Sequence, residues 1–361
     1  MKNNPRWSAG FSLVELMIAL VIGLFLVAAA TAVFVAQAAI SKTTVSQAQI
    51  QNAENALAAL IGPIIRGAGF TGCSNLGEVI ASLNTGGPAP LNAVAAGTGP
   101  AAMIAGFDAL GTAAGDTVTI SQSNAANSPS ISNWSPSLET TLAGNTQSGS
   151  DVLLVLGAIP GFNPIGVTAP SSTSAKSLAL QNTSGLVGGE YAAVTDCAKT
   201  AIFQMTSVLP KSVSHDAGTG VLSNVSDYLP VSFAPASQLV GLQLSALYVA
   251  QGSGDQSDLM RATYQNGVWT EVPLVPGIDN MQILYGIGDG KTITTYLSAD
   301  AVTDWTKVDA VRLGFLIQGD KGSAATTTAS NYSLLGTSIN VPNDGRLRHV
   351  VEMTVNLRNA A

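Results

Sequence analysis

Few positions in this chain carry residue types that do chemistry. There are two cysteines, Cys73 and Cys197, and two histidines, His215 and His349. No Cys-x-x-Cys occurs and the histidines lie far apart in sequence. A structural zinc site of the usual kind therefore lacks its ligands within one chain, unless carboxylates replace two of them. Tyr285-Gly286-Ile287-Gly288-Asp289-Gly290-Lys291-Thr292 ends like a phosphate-binding loop, yet the leading glycine of that motif falls at Tyr285. It reads as a glycine-rich hairpin turn. Neither G-x-S-x-G nor H-E-x-x-H is present. His215 sits among Ser, Asp and Gly and reads as an exposed loop residue. His349 opens an apparent strand and reads as an edge residue. The pattern points to no enzyme, no metal site and no cofactor. What remains is at the amino terminus: Gly10-Phe11, then Glu15, at the head of a long apolar run.

Those residues need an element to position them. Lys2 and Arg6 form a short basic head, and residues 16–35 are apolar except for Gly23 and Thr31. At ~1.5 Å per residue this run spans ~30 Å, the thickness of a bilayer core. The basic head stays cytoplasmic, which places the chain after residue 40 across the membrane. A cleavable secretory signal would use Ala36-Gln37-Ala38, but its apolar region is ordinarily ~7–15 residues. An ordinary uncleaved anchor leaves Glu15 unexplained, because an acid at the edge of a span is costly. Beyond Ile40 the pattern turns amphipathic. Val45, Ala48, Ala53, Leu57, Leu60 and Ile64 recur at mostly helical spacing, opposite Gln47, Gln51, Asn52 and Asn55. Pro63, Gly67, Gly69 and Gly72 end this helix or kink its last turn. One helix over roughly 11–62 follows.

Composition limits the rest. The 361 residues are 46% hydrophobic and only 10% charged, with a mean hydropathy of +0.33. The usual charged share is ~25%. A net charge of −7 and a pI near 4.7 leave no basic face for phosphates, so nucleic-acid binding is excluded as a leading function. Residues 67–190 are low in charge and rich in turn formers, with short runs such as 116–120 and 152–156, and predict a loop-rich β subdomain. From 191 onward the β signal strengthens, at 201–209, 239–250, 259–264, 281–287, 308–318 and 349–357, as in half-buried antiparallel strands. The class is α+β.

The segment Gly10-Phe11-Ser12-Leu13-Val14-Glu15 resembles the type IV prepilin signal. The resemblance implies cleavage between Gly10 and Phe11 by a prepilin peptidase in the inner membrane, and N-methylation of Phe11. Residues 1–10 would be the leader, 11–40 the transmembrane half of the stem and 41–66 its amphipathic half. Glu15 would be the assembly carboxylate, paired with the Phe11 ammonium of its own or a neighbouring chain, since four residues are about one helical turn. Further pieces resemble the PilW-type minor pilins. They are residues 65–73 and 195–197, Pro276-Gly277-Ile278-Asp279-Asn280-Met281 with Tyr285-Gly286, residues 308–313, Arg346-Leu347-Arg348 and residues 356–359. The resemblance covers the stem and roughly 195–361, and is weak over 74–190.

It implies a pilin-like fold and a structural role: priming type IV pilus assembly, at or near the pilus tip on the cell surface. The partners it implies are other minor pilins, the major pilin and a PilY-type tip adhesin. The J-type minor pseudopilins of type II secretion share part of the layout and are the alternative, with a membrane-anchored periplasmic binding protein behind them. A periplasmic head is an oxidising setting, and two cysteines allow one intrachain pairing, so a Cys73–Cys197 disulfide is expected. Two buried free thiols, or a bridge between chains, are the alternatives.

Overall fold

The computed structural model describes residues 12–73, 78–97, 103–120, 130–252, 254–324 and 330–357. Gly10 and Phe11, and with them the expected cleavage and methylation positions, lie outside the described residues.

A single helix runs Leu13–Arg66, about 80 Å at the standard rise. It outlasts the expected end near residue 62. Pro63 sits within the last turn and its carbonyl accepts from Gly67 N at 3.0 Å. Its first half carries exposed Leu, Val, Ile and Phe side chains, and its first buried residue is Ser46. The second half buries Ile50, Ala53, Leu57, Ile61, Ile64 and Ile65. Apolar residues at this spacing form one stripe, and that stripe needs a partner surface.

The partner is a β-rich head. Its central sheet runs in the order Glu78–Ala81, Lys199–Gln204, Tyr191–Thr195, Gln238–Gln251, Val152–Ala158, Ile104–Ala109 and Trp134–Ser135. The long strand Gln238–Gln251 pairs Tyr191–Thr195 near its start and Ser257–Gln265 near its end, with Val152–Ala158 along its other side. Alternate residues of Val152–Ala158 enter opposite cores. Leu153 and Val155 join the stem's cluster, while Val152, Leu154 and Leu156 join one with Leu91, Trp134 and Leu142. A sheet buried on both faces reads as a continuous apolar run, and this one does.

A second, four-stranded antiparallel sheet, in the order Ile293–Leu297, Ile278–Gly288, Val308–Gln318, Arg348–Asn356, completes the stem's cradle with Met281, Ile283, Leu313, Phe315 and Val355. Its opposite face is covered by the hairpin Ser330–Leu334 and Thr337–Val341, through Leu316, Leu334 and Ile339.

The low-charge segment and the later strands contribute to one sheet. Val152–Ala158 and Ile104–Ala109, from the low-charge segment, hydrogen-bond into the sheet built on Gln238–Gln251. The run 201–209 is not one strand. Lys199–Gln204 ends before Met205, and Ser207–Leu209 pairs Ser212–Ser214 in a separate small sheet.

Candidate functional site

The stem presents two sites, one at each end. At the amino-terminal end Ser12 caps the helix. Its Oγ accepts from Glu15 N at 3.1 Å, and Ser12 N donates to Glu15 Oε2 at 3.1 Å. This reciprocal box satisfies two backbone donors that a helix start leaves open. It also turns the Glu15 carboxylate back toward the helix start, onto Ser12 N. Beyond it, the 18-residue window that makes the helix a candidate span has none of its residues buried. A surface that apolar is stable only in lipid or against other apolar helices.

At the other end the stem passes into the head. Gly67-Ala68-Gly69 crosses strand Val152–Ala158, with Gly69 N donating to Leu156 O at 3.1 Å and Ala68 bridging Gly157. The approach is close. A Cβ on Gly157 would lie 2.2 Å from Gly67 O, so glycine is required there. The chain then reaches Cys73, which is disulfide-bonded to Cys197 with the Cα atoms 5.5 Å apart. Cys197 sits at the tip of a tight turn at φ 68. Asp196 makes that turn, its Oδ1 accepting from Ala198 N and Lys199 N at 3.1 and 3.0 Å. Thr195 Oγ1 accepts from Cys197 N at 3.1 Å.

The hydrophobic seam is locked by a buried charge network. Arg348 begins the strand that runs along the stem. Its Nε donates to Asp279 Oδ2 at 2.5 Å, and its Nη1 and Nη2 donate to the two oxygens of Asp344 at 2.8 and 2.7 Å. Burial alone would depress this guanidinium, but the two carboxylates outweigh it and push it up. Arg346 donates to Gly319 O at 3.0 Å and pairs with Asp255 at 2.6 Å. The loop so held clamps the stem: Thr43 Oγ1 donates to Ser323 O at 2.7 Å, and Asp320 N donates to Ser46 Oγ at 3.2 Å.

Of the sequence candidates, His349 lies on an edge strand, its Nε2 3.4 Å from Glu54 Oε1 of the stem. His215 corrects its expectation. It is 1% exposed and packs edge-on against Phe203, and burial lowers its pKa first of all. Its polar neighbours in sequence concealed a core position. Within the segment 285–292, residues 285–288 end the strand Ile278–Gly288 and residues 289–292 form the hairpin connection. Asp289 Oδ1 accepts from Lys291 N and Thr292 N, and Asp309 Oδ2 accepts from Gly290 N, so these amides are already bonded. Sequence reasoning missed the aspartates inside the head. Asp151 accepts from Ala109 N and Ile283 N, both at 2.8 Å, and so joins the two sheets. The available signal was an acid set directly against an apolar strand.

Comparison with known proteins follows the same division. Residues 8–31 match the prokaryotic N-terminal methylation motif. Residues 246–359, which contain the four-stranded sheet and the Arg346–Arg348 clamp, match the family described as Type IV Pilus-assembly protein W. No curated protein and no solved structure matches the chain.

Proposed function

We propose that the chain is a PilW-type minor pilin with an N-methylation signal, that it primes type IV pilus assembly and that it resides at or near the pilus tip, a reading supported by the matches over residues 8–31 and 246–359. Before assembly it is held in the inner membrane by the exposed half of its stem, with the head in the periplasm. Afterwards the same apolar surface packs against the stems of other minor pilins and the major pilin. A PilY-type adhesin engages the head. The role is structural and non-catalytic. The observation that carries this reading is the divided stem: one helix, apolar and exposed as far as Ile40, buried in its own head from Ser46 onward.

Processing tests it. A prepilin peptidase cuts after Gly10, and the small residue lets the chain enter the site. Mass spectrometry of the membrane fraction is expected to find a chain beginning at methylated Phe11. Gly10→Val is expected to retain residues 1–10. A wild-type chain beginning at Met1 indicates a plain anchor, one beginning at Ala39 a secreted protein, and either rejects the proposal.

Glu15→Ala separates assembly from folding. A carboxylate among packed apolar helices needs a cation, and the Phe11 ammonium of a neighbour supplies one. The capping box holds the carboxylate at the start of the helix, which supports this pairing. Cleavage and head stability are expected to be unchanged, because Ser46, the first buried stem residue, is about nine helical turns away. Co-purification with other pilins is expected to fall at least tenfold, as for a lost buried ion pair. Unchanged co-purification removes the pairing role.

A further inference from the structure

The head holds a group of acids that neither the stem nor the clamp uses. A cavity of about 260 Å³ opens where strands Ile278–Gly288 and Ile293–Leu297 adjoin the edge of the central sheet, with Asp108 and Asp151 in its wall. Asp108 is 8% exposed. No cation or hydrogen-bond donor figures among the groups that set its ionisation. Burial comes first, then the like charges of Asp300 and Asp116, and together they push it up to about 7. Asp151 is raised by burial and then by Asp108, even though Ala109 N and Ile283 N donate to it. The Tyr285 hydroxyl is buried with no hydrogen-bond partner among the described residues, and after burial the charges of Asp151 and Asp108 oppose its ionisation. Arg312 lies 6.0 Å from the centroid of the Tyr296 ring in the cavity wall and is already paired with Glu352 at 2.6 Å.

Buried charge is costly unless compensated, and here the compensation must come from outside. Three observations define the ligand. The volume falls below the ~300 Å³ at which small-molecule sites begin, room for one side chain and not for a cofactor. Much of the wall is apolar, with Leu284, Leu297, Leu335 and the Tyr296 ring, which suits a methylene stem carrying a charge at its end. A hard divalent ion wants six to eight oxygens, and among the described residues no three acids, histidines or cysteines are placed to hold one. Both Asp151 oxygens already accept backbone N–H groups, which leaves Asp108 as the free carboxylate. A compact ammonium suits that arrangement better than a planar guanidinium fork. We propose that this cavity receives the ammonium end of a lysine side chain from a neighbouring pilus subunit. The source of the lysine rests on the pilin reading. The cation site does not.

The test separates the two. The full chain in detergent is melted with n-butylammonium chloride, which is the lysine side chain without its backbone, and with calcium chloride or sodium chloride at matched ionic strength. Butylammonium at ten times its dissociation constant is expected to raise the melting temperature by about 2–4 °C. Its affinity is expected to be about tenfold weaker at pH 6 than at pH 8, because a proton competes for Asp108. Asp108→Asn is expected to abolish the shift. Asp300→Asn, an exposed change that spares the fold, is expected to weaken it. No shift, a shift in Asp108→Asn equal to wild type, or a shift with calcium alone overturns the site. Zero-length carbodiimide coupling in membranes containing the pilus machinery then reads the source. An Asp108-to-lysine bond to another pilin is expected. A butylammonium shift without that bond marks a free-amine site and overturns the subunit lysine.

Discussion

Arg348→Ala is expected to cost the head about 3–5 kcal/mol, the penalty for removing one partner of a buried charge network. The Arg348 side chain is 3% exposed, and its partners Asp279 and Asp344 are 6% and 7% exposed. Deleting the guanidinium leaves both carboxylates buried, with Arg346 Nε 3.4 Å from Asp344 Oδ2 and Arg346 N donating to Asp344 Oδ1 at 3.1 Å. The strand Arg348–Asn356 lies along the stem, so its loosening also frees the docked half of the helix. Urea unfolding of wild type and variant at pH 8 measures the difference. The sign with pH follows from the stranded acids. Unpaired buried carboxylates take up protons more readily when folded than when unfolded, so the variant recovers stability as pH falls toward 5 and the gap narrows. Arg348→Lys restores the charge but not the two-pronged contact with Asp344, and is expected to recover only part of the loss. A difference below 1 kcal/mol at pH 8 contradicts this account.

Cys197→Ser is expected to lower stability by a similar amount through a different route. The bridge spans a sequence separation of 124, and chain-entropy arithmetic for such a loop gives about 4–5 kcal/mol. The closed loop contains Val152–Ala158, which pairs outside it with Gln238–Gln251, so the link fixes a central strand relative to its neighbour. Cys73→Ser, Cys197→Ser and the double variant are expected to be equally unstable, because all three remove one cross-link. Protease cleavage sites between residues 73 and 197 are expected to appear in each. Labelling of both thiols in wild-type protein extracted under alkylating conditions, or full wild-type stability in the double variant, is the opposing outcome.

The stem and the later strands could be read from the chain because burial there leaves a pattern. Gln238–Gln251, Ile278–Gly288 and Val308–Gln318 each contain apolar runs long enough to read as strands, and 54 residues without an effective breaker make one helix. Pro63 did not stop it at once, because only three helical residues follow it and the last turn is closed by Gly67 N donating to Pro63 O. The low-charge half was harder. Ile104–Ala109 and Val152–Ala158 are short, and their partners lie far along the chain, where single-sequence periodicity carries no information on pairing. His215 shows the limit in one residue: its neighbours are turn formers, and the surface that buries it is folded from other segments. The Asp108 group was hidden for the same reason. Residues 74–190 contain seven charged side chains, and nothing in their spacing says that two of them meet at the seam between the sheets.

The disulfide has a mechanical consequence. Tension entering along the stem reaches Cys73 and can pass straight to Cys197, then on into the region of residues 246–359. The covalent load path bypasses residues 74–196. A change in the length of that stretch therefore leaves the covalent distance from the stem to the later strands unaltered.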